Sequence, residues 1–287
     1  MPTSCFFPKL GGIEIALHNI AKRLIKKGHD PILLIPFGSY IRLFMKRKQF
    51  PYKIIPLPPK LNIFLLEPTG ILTGLLDVYF LALQNIYKFD IWHINGGYPI
   101  GVASIRFSSK HNIPHLVCCH GADIQIDKNV NYGLRIDSRV DKLVRKWLPK
   151  ADALVAISNT VVKEYESINV ESSKIFSIPN GVDIDRLSAP VDKNEIRKMF
   201  NIDSDDFVML TVGRYHPKKN FESIIRIAKT LKTKVDFNFK FLIFGSGNEC
   251  LNDIINKECL SDVVRIIPNK SAGLKFDELP DNYLISI

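Results

Sequence analysis

The chain has 287 residues, of which 46% are hydrophobic and 24% are charged, and this balance excludes an intrinsically disordered protein. Its five cysteines include no Cys-x-x-Cys pair, which argues against a disulfide framework or a structural zinc site and favours a reducing compartment. The formal net charge of +10 predicts an anionic partner: a nucleic acid, a membrane surface or a phosphorylated ligand.

The first part of the chain alternates between predicted helices and strands. Gly11 and Gly12 precede an amphipathic helix that Gly28 ends. Strands are predicted at 31–37, 53–57, 90–94, 114–119, 153–157 and 174–178, and further helices at 70–88, 99–112, 136–148 and 159–168. The helix over 70–88 is predicted to turn these residues inward: Leu72, Leu75, Leu76 and Tyr79. This alternation predicts a parallel sheet covered on both faces.

A domain boundary is predicted within residues 179–193, where turn residues follow one another without a hydrophobic period. A second α/β pattern follows, with strands at 207–212, 239–244 and 263–267 and helices at 193–200, 220–233 and 248–259. We therefore expect two Rossmann-like, doubly wound domains, residues 1–185 and 186–287. Their ligand is expected in a cleft that faces the carboxyl ends of the strands.

Residues 207–220 have the strongest anion-binding pattern in the chain. Phe207–Val212 has the length and composition of a buried parallel strand, and Asn220 is a plausible N-cap for the next helix. Gly213 and a basic loop lie between them, and the cations of the loop are Arg214, Lys218 and Lys219. A guanidinium and a mobile ammonium before a helix N-terminus suit phosphate oxygens. The alternative is a solvated basic turn.

Other candidate binding groups lie at a helix start and after predicted strands. The sequence Gly11-Gly12-Ile13-Glu14 suits an anion, although a simple helix start has the same pattern. His93 leads into Asn95, and His120-Gly121-Ala122-Asp123 ends the next strand. A histidine in such a place can hydrogen-bond a polyol or support proton transfer, or it can be a packed edge residue. Gly245-Ser246-Gly247 has too few glycines to predict a dinucleotide site.

Five of these motifs occur together in one known family. Gly-Gly-x-Glu, HGAD, IPNGVD, VGRYHPKKN and IFGSG resemble, in this order and approximate spacing, the motifs of family 4 glycosyltransferases, which have the GT-B fold. The resemblance covers nearly the whole chain. It implies an enzyme that moves a sugar from a nucleotide-diphospho-sugar to a glycan or lipid-linked acceptor with retention of configuration, in surface polysaccharide synthesis. It also implies that no cofactor and no metal take part.

The resemblance further implies roles for individual residues. Arg214 and Lys219 would hold the diphosphate and stabilise it as the leaving group, which fixed cations can do. His120 and Asp123 would lie near the transferred sugar and complete the catalytic set. The donor-binding set would be Gly11, Gly12, Gly213, Arg214, Lys219, Gly245 and Gly247. The acceptor side would be formed by Glu14, His93 and Asn95.

Two departures from the family pattern concern the ends of the sequence. The family has a Glu-x7-Glu motif late in its C-terminal domain, and no two glutamates of this chain have that spacing. The stretch MPTSCFFPKL supplies at most a remnant of the strand expected before Gly11, and a missing inner strand leaves backbone groups unpaired. We therefore expect a truncated chain with an incomplete C-terminal domain. The alternative function is an inactive remnant that only binds a nucleotide or a partner.

The basic segments suggest where the protein resides. Residues 41–50 and the helix over 136–148 interleave cations with apolar residues, as segments that lie on anionic lipid do, although a solvated face has the same pattern. With neither a secretory signal nor a membrane span, we expect a cytoplasmic protein in peripheral contact with the inner face of the plasma membrane. The sequence has no recognisable nucleic-acid-binding motif, so we expect no nucleic acid partner. The chain also lacks the complete glycine motif of a dehydrogenase, which argues against that class of enzyme.

Overall fold

The computed structural model describes residues 1–8, 11–67, 69–182, 184 and 192–267. The chain divides into two compact units, Met1–Val182 and Asp183–Ile287, called unit 1 and unit 2 here. The predicted boundary between residues 185 and 186 lies outside the described residues and stays a prediction, as does any structure of the C-terminal stretch 277–287.

Unit 1 is built on parallel strands. They are β1 (Ile32–Ile35), β2 (Lys53–Pro56), β3 (Trp92–Asn95), β4 (His115–Cys119), β5 (Ala153–Ala156) and β6 (Ile175–Ser177). β1 pairs with β2, and the other four form a sheet in the order β3-β4-β5-β6. The six strands expected from the sequence are confirmed in type and place, and each ends within two residues of its predicted limits. Because β3 and β4 are parallel neighbours, their carboxyl ends lie side by side at the same edge of the sheet.

The first residues of the chain lie between these two sheets. Pro2 forms a parallel bridge with Leu34, and Thr3 forms one with Asn95. The backbone N–H of Asn95 donates to Pro2 O at 2.8 Å, and that of Thr3 donates to Leu34 O at 3.0 Å. The Met1 amino group donates to Ile32 O at 2.7 Å, and its burial lowers its pKa to about 5. The remnant strand expected here therefore satisfies backbone groups of β1 and β3.

Helices cover the sheets of unit 1. They are α1 (Gly12–Lys26), α2 (Phe37–Leu43), α3 (Leu61–Leu66), α4 (Ile71–Tyr87), α5 (Ile100–Lys110), α6 (Ser138–Trp147) and α7 (Asn159–Ser167). A 3-10 helix, Phe44–Gln49, continues α2. The sequence did not predict α3, which is short and follows Lys60 in the left-handed conformation with φ 55°. Within the described ranges, no helix combines the length and hydropathy needed to cross a bilayer.

The inward face of α4 agrees with the prediction only in part: Leu76 is buried, and Tyr79 packs half-buried against the core. Its buried residues are Leu76, Asp77, Phe80 and Leu83. Leu75, which was expected to point inward, is 57% exposed. The helix is turned so that the Asp77 carboxylate pairs with Arg106 of α5, and Lys110 lies 3.6 Å away. An ion pair with a partner on another helix cannot be found from the apolar period of α4 alone, and this is why the prediction was wrong at Leu75.

Unit 2 contains a second parallel sheet. Its elements are α8 (Lys193–Met199), β7 (Phe207–Val212), α9 (Glu222–Lys234), β8 (Phe239–Phe244), α10 (Asn252–Lys257) and β9 (Val264–Ile267). The strand order is β7-β8-β9, and both pairings are parallel. The helix predicted over 248–259 begins as a 3-10 turn, Asn248–Leu251, before α10. The core of the unit packs α9 and α10 against β8.

Two expectations about residues 207–220 are corrected. β7 was expected to be buried, yet Phe207 is 58% exposed and Leu210 and Val212 are also exposed. In the described part of the chain, β7 pairs with β8 on one side only, so its apolar side chains lack a covering neighbour. Asn220 is not the N-cap of α9, because it adopts the left-handed conformation with φ 51° and ends a 3-10 turn, while Phe221 takes the cap position.

Candidate active site

In unit 1, the loops after β3 and β4 leave the sheet side by side. Asn95 is the last residue of β3 and pairs in register with Cys118 of β4. Gly97, in the first loop, donates its backbone N–H to Asp123 Oδ2, in the second loop, at 2.7 Å. A Cβ on Gly97 would lie 2.8 Å from Asp123 O, so only glycine allows the loops to approach this closely. The structure therefore brings together Asn95, His120 and Asp123, three of the residues singled out from the sequence.

The Asp123 carboxylate is held by backbone groups. Oδ1 accepts from the N–H of His120 at 3.0 Å and of Gly121 at 2.7 Å, and Oδ2 accepts from Gly97. Such charge-assisted bonds are stronger than those between neutral groups and order the loops that make them. In this structure Asp123 fixes the conformation around His120.

His120 and Asn95 carry buried polar atoms that have no partner. Neither ring nitrogen of His120, nor Oδ1 of Asn95, makes a hydrogen bond with a described residue. Burial lowers the pKa of His120 against the opposing effect of the Asp123 carboxylate, and burial lowers the pKa of His93 to about 4. Both imidazoles are therefore neutral at physiological pH, so each has one donor and one acceptor. An unmet buried hydrogen-bonding group costs about 1–3 kcal/mol, which favours a ligand with hydroxyl groups here.

The start of α1 has a buried carboxylate rather than an empty anion site. Gly11 precedes the helix in an extended conformation, and a Cβ on it would lie 2.7 Å from Glu14 Oε2. Glu14 is buried in the first turn, where a negative side chain is favourable. Burial, with a contribution from Glu14, raises the pKa of the Cys5 thiol to about 12. A Cβ on Gly12 would meet nothing within 4 Å, so the space beside Gly12 is open.

In unit 2, the loops after β7 and β8 touch backbone to backbone. Gly245 has φ +132°, and a Cβ on it would lie 2.0 Å from Gly213 O and 3.2 Å from Arg214 N. Tyr215 N donates to Ser246 O at 3.0 Å. Gly247 also has a positive φ, and a Cβ on it would lie 3.3 Å from Tyr215 Cβ. The structure thus joins Gly213, Arg214, Gly245 and Gly247 into one surface.

Arg214 and Lys219 present their charges to solvent. Both are exposed, and neither forms an ion pair with any residue in the part of the chain that is described. The loop that carries them is anchored to α9 because Tyr215 Oη donates to Glu222 Oε1 at 2.5 Å, and this bond raises the pKa of Tyr215 to about 12. Two available cations on an anchored loop can bind an anion with little loss of loop entropy.

Three supporting residues were missed by the sequence analysis. Asn248 is buried and donates from Nδ2 to Gly213 O at 2.9 Å and to Gly245 O at 3.1 Å. Arg135 is buried, donates to Ile124 O at 2.7 Å and pairs with Asp141 and Glu164. Tyr165 Oη accepts from Cys119 N at 3.1 Å and donates to Val155 O at 3.0 Å. The local sequence gave no indication of these roles, because each depends on carbonyls or carboxylates from distant elements.

Comparison with protein families identifies the chain. The model described as Glycosyltransferase Family 4 matches residues 10–186, and the model described as Glycosyl transferases group 1 matches residues 192–278. The chain belongs to glycosyltransferase family 4. This assignment confirms the resemblance seen in the sequence. Among the described residues of this glycosyltransferase, no three His, Cys, Asp or Glu side chains lie together as a metal site would require.

Relatives of this glycosyltransferase act on several substrates. It is 21% identical over 247 residues to N-acetyl-alpha-D-glucosaminyl L-malate synthase of Bacillus anthracis, a match that covers 85% of the chain and 60% of the synthase. It is 27% identical over 194 residues to UDP-Gal:alpha-D-GlcNAc-diphosphoundecaprenol alpha-1,3-galactosyltransferase of Escherichia coli, covering 63% of the chain and 46% of that enzyme. The match thus spans about half to three fifths of the length of these curated relatives.

The fold resembles that of a solved structure. HepE of Anabaena in complex with UDP matches with a TM-score of 0.66 at 16% sequence identity, over 93% of this chain and 68% of HepE. At that identity the likeness shows the fold alone. The fold class is α/β and GT-B-like, with a Rossmann-like arrangement in each unit, as expected from the sequence.

Proposed function

We propose that this family 4 glycosyltransferase moves a sugar from a nucleotide-diphospho-sugar to a glycan or lipid-linked acceptor, with retention of configuration, in the synthesis of a surface polysaccharide. The observation that carries the proposal is the pair of exposed cations without an ion-pair partner among the described residues, Arg214 and Lys219, on the anchored loop after β7. HepE was solved with UDP, and the galactosyltransferase relative has a UDP-sugar in its name, which supports a nucleotide-sugar donor.

In unit 2, we assign the diphosphate to Arg214 and Lys219. Departure of the nucleoside diphosphate concentrates negative charge on its phosphate oxygens, and preorganised cations stabilise that charge without reorganisation. The backbones of Gly213 and Gly245 touch beside Arg214, with Gly247 next to Tyr215, and we assign the nucleotide to this place. The proposal needs no metal, because the fixed cations neutralise the leaving group.

In unit 1, we assign the sugars to the loops after β3 and β4. Neutral His120 has both a donor and an acceptor without a partner in the described chain, which suits a hydroxyl of the transferred sugar. Asp123 holds the loop by accepting from the backbone, so we assign it a positioning role. Gly11 and Gly12 would contact the donor diphosphate beside the open space at Gly12. Glu14, His93 and Asn95 would contribute the acceptor side.

We place this activity in the cytoplasm, in peripheral contact with the inner face of an anionic membrane, and expect no nucleic acid partner. The name of the galactosyltransferase relative includes diphosphoundecaprenol, a lipid-linked group. An acceptor of that chemistry is confined to the membrane surface, so the enzyme would meet it there.

The donor site is tested by measuring nucleotide binding as a change in the melting temperature of the protein. UDP or GDP is expected to raise the melting temperature of the chain, since a ligand that binds only the folded state stabilises it. Arg214→Ala and Lys219→Ala are each expected to weaken binding about tenfold or more, because each removes a charge-assisted contact. Arg226→Ala is the matched control, as Arg226 is exposed on α9 and its side chain donates to Ser223 Oγ. Undiminished binding by both Arg214→Ala and Lys219→Ala would contradict the assignment.

A second candidate function is binding without transfer. The two candidate functions are distinguished by incubating the protein with a nucleotide-sugar and measuring the release of sugar by chromatography. Binding with no transfer or hydrolysis above the buffer rate would favour the second candidate.

A further inference from the structure

We propose that residues Phe37–Gln49, which form α2 and the 3-10 helix after it, dock on a bilayer of anionic phospholipid. We call these residues the docking segment. The inference rests on the proposed function in one respect, since it assigns the expected membrane contact to one particular surface. Its evidence consists of exposed apolar side chains, unopposed cations and the contrast with the second basic segment.

The docking segment exposes large apolar side chains. Met45 is 88% exposed and Ile41 is 55% exposed, and Phe37 and Phe44 are exposed as well. Apolar surface in water is unfavourable, and several such side chains within so short a stretch are more than scattered surface residues. A bilayer interface would accept these side chains at the boundary of the headgroups and acyl chains.

The charge of this region has a single sign. Residues 31–66 contain no aspartate or glutamate, and their cations are Arg42, Lys46, Arg47, Lys48, Lys53 and Lys60. No ion pair joins any of these cations to a described residue. The guanidinium of Arg47 lies over the Phe44 ring, 3.9 Å from its centroid, which keeps a cation beside an apolar group. Cations that flank apolar residues are the pattern that anionic membranes attract.

The second basic segment of the sequence, α6, has a different use. Arg139 pairs with Asp137 at 2.7 Å, and Arg145 pairs with Asp141 at 2.7 Å. The apolar side of α6 is buried, with Val140 and Val144 in the core of unit 1. The amphipathic pattern of α6 is therefore explained by its own packing. In the docking segment Leu43 is buried, but its other large apolar side chains, Phe37, Ile41, Phe44 and Met45, stay exposed.

The chemistry of the docking segment favours lipid over other anionic partners. A nucleic acid would neutralise the cations but would leave Ile41 and Met45 in water. A second copy of the same surface would bring like charges together. The start of α2 also lines a mainly apolar cavity of about 230 Å³. Pro36, Phe37 and Gly38 contribute from the start of α2, and Leu57, Pro59 and Leu61 from the residues after β2. A docked segment would thus hold an apolar cavity next to the lipid.

The test is sedimentation of the 287-residue chain with phosphatidylcholine vesicles, with and without phosphatidylglycerol. We expect binding only to the anionic vesicles, and weaker binding at higher salt. Lys46→Glu/Lys48→Glu is expected to weaken it about tenfold or more, and Ile41→Ser/Met45→Ser to weaken it as well. The control is Lys142→Glu/Lys146→Glu on α6, which makes the same change in net charge and is expected to bind as the unchanged chain does. Circular dichroism confirms that all variants are folded.

Three results would overturn the inference. Equal loss in the α6 control would show that net charge, and not the docking segment, drives binding. Tighter binding to a random DNA duplex, unaffected by Ile41→Ser/Met45→Ser, would indicate a nucleic acid partner. Absence of vesicle binding while UDP still raises the melting temperature would reject docking and leave the proposed function intact.

The converse result supports the inference. Vesicle binding without any response to nucleotide would reject the donor site and leave docking intact.

Discussion

The strands β4 and β7, which precede the two groups of site loops, are both mainly apolar in sequence but have different surroundings. β4 lies between β3 and β5 and is buried over most of its length, while β7 has a neighbour on one side only in the described chain and exposes Phe207, Leu210 and Val212. The loop after β4 presents a neutral histidine in a buried setting, and the loop after β7 presents exposed cations. An apolar run therefore predicts a strand, but its neighbours decide whether the strand is buried.

The two site loops are also fixed by different means. In unit 1, charged side chains hold the loop after β4. Asp123, which belongs to the loop, accepts from the His120 N–H, and Arg135 donates to Ile124 O. In unit 2, the backbone of Gly245 touches that of Gly213, and the Asn248 side chain donates to both. Unit 1 is thus expected to be sensitive to charge and pH, and unit 2 to any side chain placed between its backbones.

The largest effect is expected from Gly245→Ala. The new methyl group would lie 2.0 Å from Gly213 O at a positive φ, so the loop must move. We expect a loss of about 4 kcal/mol or more from the free energy of unfolding of unit 2, combining steric and dihedral strain. Hydrogen exchange at the β8 amides measures it. Gly74→Ala is the control, because its Cβ position is open and lies within α4. Native protection in Gly245→Ala would show that the backbones need not touch.

Arg135→Met tests the charged support of unit 1. The Arg135 side chain is almost fully buried, and its removal leaves Asp141, Glu164 and Ile124 O without their donor. Breaking such a pair is expected to cost about 3–4 kcal/mol. Both tryptophans, Trp92 and Trp147, lie in unit 1, so fluorescence during urea unfolding reports on this unit. Arg139→Met, in an exposed pair with Asp137, is expected to change the free energy of unfolding far less. Equal costs would argue against a buried support.

A matched pair of leucines tests the difference between the strands. Leu154 in β5 is fully buried, and Leu210 in β7 is exposed. Leu154→Ala is expected to cost about 3 kcal/mol by cavity formation. Leu210→Ala is expected to cost less than about 1 kcal/mol, since it removes little buried area. Urea unfolding followed by circular dichroism measures both. A cost for Leu210→Ala as large as that for Leu154→Ala would mean that β7 is covered in solution.

The smallest effect is a pH dependence confined to unit 1. Burial lowers the pKa of His93 to about 4 from its ordinary value near 6.5, so the unfolded chain binds more protons between these values. The contribution of His93 to stability is therefore complete above pH 6.5 and falls on acidification, by about 2 kcal/mol at pH 5. His93→Gln is expected to reduce this dependence in the tryptophan-monitored unfolding of unit 1. An unchanged slope would place the titrating group elsewhere, with His120 the next to test.

The element order and the position of the site loops were accessible from the sequence. Strands at 207–212 and 239–244 were predicted to the residue, and the glycine and basic loops follow them as expected. The supporting residues were not accessible. Tyr165 bonds across to Cys119 and Val155, and Asn248 bonds back to Gly213, and neither partner is indicated by local periodicity.

The sequence alone determined the α/β alternation, the loops that carry His120, Asp123, Arg214 and Lys219, and the family. These depend on residues close in the chain, where period, glycine and charge act directly. The tertiary structure decided the exposure of β7, the inward turn of α4 around Asp77 and the pairing of Pro2 and Thr3 between the sheets. It also decided that Arg139 and Arg145 of α6 are paired with carboxylates, whereas no cation of the docking segment is paired with a described carboxylate. Burial and pairing are set by neighbours distant in sequence, so no local pattern determines them.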